Sequence, residues 1–502
     1  DYYRDGVYPE KYSFKYPKVG EDNSHVSVWN FNVKKNRSKA LNTGIGIQDD
    51  IYIPRIQWTT SNSEVCITWM NRAQNELKLI LVNTIKNNSR ILFKEMNKRY
   101  IDLSDNLKFT KDGKYFLLSS ELSGYNQLYR YDMNGKFVNQ ITKGELELTE
   151  FYGMDSTEDI LFFQRSENRG LDRKIYSIHI DGSKPFCLTP FDGVNNARMN
   201  RAGNYFIVSS STISSLPVHK ICNSTGSTIR ILEENKDLSS RLENFNYSPV
   251  ELGFIKNSHH DEMNTIIIKP LNFDPLKKYP LFMFLYGGPG SQQVMNRWSS
   301  ISFNWWLQML AQKGYIICVV DNRGTGGRGE DFKKMTYKQL GKYETEDQID
   351  AAKYMSKLPY VDGSRIGIFG WSYGGYMSSL CLLKGNDIFK SAIAVAPVTN
   401  WKWYDNIYTE RYMGDEKNNK QSYQDNSPVY FASQLKGNYL LVHGLADDNV
   451  HFQNTAEMAK ELIKNKKQFD TYFYPNRNHG ISGDNATIHL FTKMTNFVLE
   501  KI

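Results

Sequence analysis

Residues 365–379 read RIGIFGWSYGGYMSS: an apolar strand pattern, a glycine-flanked serine, then helix-compatible sequence. Gly370, Ser372 and Gly374 form G-x-S-x-G at the point where strand gives way to helix. So tight a turn needs small residues on both sides, because a Cβ there would strike the adjoining strand and helix. The side chain left exposed at its tip is that of Ser372, a candidate nucleophile. Glycine and serine are common in turns, so the assignment depends on partners elsewhere in the chain.

Outward from this turn, the sequence after about Val250 alternates strands with helices. NTIIIKP, YPLFMFLYG, YIICVVDNRG, SRIGIFGWS, SAIAVAP, NYLLVHG and DTYFYP read as strands. TEDQIDAAKYMSKL, NTAEMAKELIKNKK and a last segment from about Ala486 to Glu500 read as helices. This alternation predicts a doubly wound, mostly parallel sheet, which places functional groups at the carboxyl ends of its strands. A serine nucleophile on such a sheet needs an acid and then a histidine further along the chain. LLVHGLADDNVHF sets Asp447 and Asp448 just past a strand, and spacing does not choose between them. FYPNRNHGI sets His479 in the loop after the next strand. His479 would take the Ser372 proton and return it to the leaving amine, while the aspartate fixes the imidazole tautomer.

Of the other histidines, His443 ends a strand and reads as a packed, hydrogen-bonded core residue. His451, His489, His259 and His260 lack a comparable glycine-bearing loop, and the His259–His260 pair has no third ligand at metal-binding spacing. For the oxyanion, the Tyr373 amide follows the nucleophile, and Tyr286 in FLYGGPGSQ could donate from its phenol.

The first half has a different grammar. Short β-rich runs begin at Asn62, Lys111, Thr157 and Ala202, roughly 45 to 50 residues apart, near the period of four-stranded propeller blades. Alternation in QLYRYDM and KIYSIHI fits strands packed between neighbouring blades; a β-sandwich is the competing architecture. At 502 residues, two domains are expected, divided as 1–248 and 249–502. Basic residues exceed acidic ones by 8 but are scattered, which argues against a nucleic-acid partner. No apolar run is long enough to span a bilayer, and no signal peptide is visible at the start. The cysteines number 5, with no CxxC spacing, so neither a disulfide framework nor a zinc site is indicated.

Together YGGPGSQ, DNRGTGGRG, FGWSYGGYMS, AIAVAPVTNWKWYDNIYTERYMG, HGLADDNVHFQ and NHGI resemble the prolyl oligopeptidase family, most closely its dipeptidyl peptidase IV branch. YRDGVYPEKYSFKYPKVGEDN is similar to a propeller segment of that branch. The resemblance implies a β-propeller followed by an α/β-hydrolase domain, with about four blades in this chain. It implies the triad Ser372, Asp447 and His479, choosing Asp447 over Asp448, with Tyr286 and the Tyr373 amide at the oxyanion. Asn449 would bind the carbonyl of the substrate's first residue. Trp401, Tyr404 and Tyr408 fall at helical spacing and could share a face. With Val398 and Val450 they would form a compact apolar pocket for proline or alanine before the cut.

The expected activity is serine peptidase chemistry that releases dipeptides with proline or alanine second, needing neither metal nor organic cofactor. A prolyl endopeptidase or acylaminoacyl peptidase with the same triad, and a catalytically silent interaction protein, are the alternatives. The family's glutamate pair for the substrate amino terminus lies upstream of the matching segment, so the chain reads as the C-terminal part of a longer protein. Glu233 and Glu234 read as a solvated turn rather than as substitutes. The resemblance further implies a homodimer. Ser391, where extracellular relatives often carry cysteine, gives a bacterial look, and a periplasmic or secreted placement is expected.

Overall fold

The computed structural model describes residues 7–8, 13–46, 48–245 and 247–502; part of the segment YRDGVYPEKY lies outside the described residues. The C-terminal half is built on one eight-stranded sheet. Its strands are β1 (Val250–Lys256), β2 (Glu262–Ile268), β3 (Tyr279–Phe284), β4 (Ile316–Val320), β5 (Val361–Trp371), β6 (Ser391–Val395), β7 (Asn438–Gly444) and β8 (Asp470–Tyr474). Their spatial order is β1-β2-β4-β3-β5-β6-β7-β8. The pairs on either side of β2 are antiparallel and all later pairs are parallel.

Helices on both faces explain why β4 is apolar at every position and β6 at every position but Ser391. In β4 and β6 all residues are buried. Two apolar clusters result. One joins Ile368, Met377, Leu380 and Leu441 beneath the helix after the Ser372 turn, and the other joins Phe282, Phe369, Leu440 and Val498 beneath the C-terminal helix. The observed helices Lys342–Ser356, Gln453–Lys464 and Ala486–Lys501 match the sequence expectation.

The N-terminal half contains four antiparallel four-strand units, each arranged in the manner of a propeller blade. They occupy residues 51–96, 108–140, 148–187 and 194–233, the last two continuous in one sheet through a single parallel bridge between Arg173 and Val194. The sequence repeats at Asn62, Lys111, Thr157 and Ala202 therefore begin near the second strand of each unit, one strand late. The first strand of the second unit, Lys108–Phe109, is only 2 residues long and carries no pattern of its own. An additional two-stranded ribbon pairs Trp29–Asn32 with Arg37–Ala40.

The blade units sit against the hydrolase half through charged contacts. Arg72 grips Glu410 bidentately through one guanidinium edge, Nε and Nη2, at 2.5 and 2.8 Å. Lys333 and Lys334 share Glu121, at 2.5 and 2.7 Å, and the Lys334 ammonium also donates to the Tyr100 carbonyl at 2.6 Å. A cavity of about 600 Å³ lies along this junction, bordered by Glu95, Glu147, Arg173, Gln292 and Tyr412.

Candidate active site

Ser372 is the single residue between β5 and the helix Tyr373–Lys384, with φ 61° and ψ −117°. Non-glycine residues adopt such a conformation only when their surroundings enforce it. Here the enforcement is visible in three glycines. A Cβ on Gly370 would lie 2.0 Å from the Gly374 carbonyl oxygen, one on Gly374 would lie 2.4 Å from that of Leu285, and one on Gly375 would lie 2.7 Å from that of Val395. The turn is further pinned by the Ser372 amide donating to Val395 O at 2.8 Å. The Tyr373 N–H opens the helix, where first-turn amides have no intrahelical acceptor.

The acid and the histidine come together from separate loops. His479 Nδ1 lies 2.7 Å from Asp447 Oδ2. The other carboxylate oxygen accepts from the Asn449 and Val450 amides at 3.0 and 2.9 Å. Burial would push this carboxyl up, but hydrogen bonds from His443 and His479 outweigh it and hold Asp447 at about 2. Asp448 does not join this network among the described residues.

Trp371, the residue before the serine, donates its indole N–H to His479 O at 3.1 Å, so the histidine loop is anchored to the serine turn. The Leu445 and Ala446 amides donate to Tyr474 O and Arg477 O, stitching the acid loop to the segment that carries His479. Among the described residues the Ser372 hydroxyl makes no hydrogen bond, an arrangement common before substrate completes the geometry.

Tyr286 follows β3, and its ring lies 5.9 Å from that of Tyr373. Gly288 passes between them, where an added Cβ would meet Tyr286 at 3.0 Å and Tyr373 at 3.2 Å. Burial raises the Tyr286 phenol, keeping it a neutral donor. Tyr373 is held from behind: its hydroxyl donates to Glu344 Oε1 at 2.8 Å, deep in the fold. Burial pushes that carboxyl up to about 7.

The aromatic residues meet, but not on the one helix their spacing suggested. Trp401 lies in a 3-10 turn, Tyr404 is extended, and only Tyr408 lies in the helix Asn406–Met413. Asn400 and Asp405 cause the break, because each caps backbone amides with its side chain, accepting from Lys402 N and Tyr408 N. The rings converge all the same. Trp401 stacks on Tyr408 at 5.9 Å, and Tyr404 meets Tyr408 edge-on at 5.4 Å. Val398, Trp401 and Val450 are buried, and Tyr404 and Tyr408 half-buried.

Tyr404 donates its phenol to Asn449 Oδ1 at 2.8 Å and Tyr16 donates to Asn449 O at 2.7 Å. With its amide oxygen occupied, the Asn449 side chain presents its NH2 group as the remaining donor.

Sequence reasoning missed Glu344, Tyr16 and the proximity of His443 to Asp447. Tyr16 and Glu344 sit far along the chain from their partners; the spacing of His443 and Asp447, four residues apart across the end of β7, was a usable signal. Glu233 ends an exposed strand and Glu234 pairs with Lys236 in solvent, with no contact to the residues above. No helix among the described residues is long and apolar enough to cross a membrane, and no cluster of metal-ligating side chains is found among them.

Residues 301–502 match the family model described as prolyl oligopeptidase family, and residues 1–217 the one described as dipeptidyl peptidase IV N-terminal region. The mouse protein named prolyl endopeptidase FAP is 33% identical over 99% of this chain and 68% of its own length. Bovine dipeptidyl peptidase 4 is 31% identical over 98% of this chain and 67% of its own length. The crystal structure of Porphyromonas gingivalis dipeptidyl peptidase 4 superposes with a TM-score of 0.95 at 41% identity, covering 100% of this chain and 70% of that one.

Proposed function

Because the chain belongs to the prolyl oligopeptidase family of serine peptidases, we propose that it releases dipeptides from peptides with proline or alanine in second position. Ser372 is the nucleophile. His479 accepts its proton as the Oγ–acyl bond forms, then delivers that proton to the departing amine. Water attacks the acyl-enzyme with the same histidine as base, and the Ser372–acyl bond breaks. Asp447 keeps the proton on Nδ1, leaving Nε2 for the serine. On this reading the tetrahedral oxygen is received by the Tyr373 amide and the Tyr286 phenol.

The observation that carries this reading is the 2.7 Å contact between Asp447 and His479, on a loop fastened by Trp371 to the serine turn. Val398, Trp401, Tyr404, Tyr408 and Val450 belong to one apolar cluster, and on this reading they line the site for a rigid pyrrolidine ring that loses little freedom on binding. On this reading the NH2 group of Asn449 holds the carbonyl of the preceding residue.

A fluorophosphonate probe is expected to label Ser372, and Ser372→Ala to abolish labelling. Gly-Pro amides with a free amino group should be cleaved and amino-blocked ones spared. The likeness to a relative named as an endopeptidase favours a second reading, under which blocked and free amides are cleaved equally.

A further inference from the structure

We propose that His443 is a positioning residue for the acid–base pair: its Nε2–H holds the Asp447 carboxylate and the Val450 carbonyl together, and thereby sets how basic His479 is. The inference rests on the reading that Asp447 and His479 serve Ser372. His443 is wholly buried near the end of β7. Its Nε2 lies 2.7 Å from Val450 O and 3.3 Å from Asp447 Oδ2, and its Nδ1 lies 2.7 Å from Thr455 Oγ1 on the helix Gln453–Lys464. Both groups facing Nε2 are acceptors, so Nε2 carries the proton.

The geometry gives this second histidine a task distinct from packing. Asp447 receives three hydrogen bonds, two from loop amides on Oδ1 and one from His479 on Oδ2, and His443 Nε2, bonded to Val450 O, makes a longer polar contact of 3.3 Å with the same Oδ2. A carboxylate so occupied cannot rotate away from His479. The donor from His443 also withdraws negative charge from the oxygen that faces His479 Nδ1. Without it, that oxygen would attract the His479 proton more strongly, and the imidazolium would survive to higher pH.

Other ionisable groups surround the pair from every packed element. Asp448 and His451 flank it on the same loop, Lys18 approaches His451 from the N-terminal segment, and the half-buried Tyr16 and Tyr404 phenols face the carboxylate. None of these donates a hydrogen bond to Asp447 among the described residues. On the remaining side the ring meets Phe452 edge-on at 5.8 Å. His443 is therefore also the link between the acid and Val450, one wall of the apolar pocket.

The test compares pH profiles of kcat/KM for the unaltered protein, His443→Leu and His443→Gln, with fluorophosphonate labelling of Ser372 reporting correct folding. His443→Leu should move the acid limb upward by about 0.5 to 1 pH unit, the worth of one hydrogen bond. His443→Gln, whose amide N–H reaches the place of Nε2, should return it most of the way. An acid limb that stays put in a labelled His443→Leu protein, or one that moves equally in both variants, overturns the proposal. Should the leucine variant fail to label, Thr455→Val, which frees Nδ1 and lets the ring tilt, should give a smaller shift in the same direction; no shift there also overturns it. Full activity in Ser372→Ala would instead sink the underlying triad reading, whatever the histidine variants do.

Discussion

The two halves of the molecule protect their backbones in opposite ways. In the hydrolase half, β4 and β6 are buried at every position because helices cover both sheet faces. In the blade half, the outer strand Thr228–Glu233 is exposed at every position, Ile229 and Ile231 included. A helix-covered sheet demands continuous apolar runs and offers rigid strand ends. The blades need only a periodic face, and their inner and outer strands carry little sequence constraint. The proposed site follows the first pattern: Tyr286, Ser372, Val398, Asp447 and His479 all stand just beyond the carboxyl ends of parallel strands.

The contrast breaks first, and most heavily, at the strained turn. Ser372→Ala should lower kcat/KM by about 10⁴-fold or more, with denaturant stability unchanged, since alanine keeps the same backbone conformation. Ser372→Gly should be equally inactive yet more stable by about 1 kcal/mol, because glycine accepts the positive φ without strain. If Ser372→Gly were less stable than Ser372→Ala, the turn would not be storing strain.

Next in size is the buried sheet itself. Leu441 in β7 is fully buried, and Leu441→Ala should cost about 2–5 kcal/mol through lost transfer energy and the cavity left behind. Urea unfolding measures it. A loss below about 1 kcal/mol would show that the core beneath the acid loop collapses readily and is not the rigid support the comparison makes it.

How much of this was legible follows from the same contrast. The seven strands β2 to β8 announced themselves as apolar runs, while β1, with alternating and partly exposed residues, was missed. The blade repeat was visible in period but late by one strand, because short inner strands such as Lys108–Phe109 carry almost no pattern. Ser372 and its partners were readable because each follows a strand. Tyr404 was misplaced on a helix because Asn400 and Asp405, two side chains that cap their own backbone, interrupt an otherwise helical spacing. Glu344 and Tyr16 could not be found from local sequence, since each reaches its partner only after the sheet has folded.

Two buried carboxyls, one in each half, refine the comparison through pH. Burial pushes both Glu344 and Glu95 up to about 7; Ser120 donates to Glu95, and Lys334 lowers it in part. For an acid whose folded pKa is raised, the unfolded chain releases the proton first. Stability is therefore highest below about 4.5, falls as pH rises from about 4.5 toward 7, and then levels off. Glu344→Gln should flatten that decline by about 1–3 kcal/mol between pH 5 and pH 7.5. Glu95→Gln should flatten it less, because Glu95 borders the junction cavity whereas Glu344 is sealed beneath Tyr373. Denaturation at the two pH values reads both; equal effects would mean that the junction is as dry as the hydrolase core.

The smallest effect lies at the far edge of the blades. Ile229→Ser and Ile231→Ser remove apolar groups that already face water, so each should change stability by no more than about 0.5 kcal/mol and leave peptidase activity untouched. That near-silence is informative because the same chemical change in the hydrolase sheet, Ile393→Ser in β6, would bury an unpaired hydroxyl and leave a void, costing several-fold more. If the blade-edge serines instead destabilised the protein by more than about 1 kcal/mol, the strand Thr228–Glu233 would be covered in solution. The exposed edge would then be an interface, and the division between a protected and an open half would dissolve.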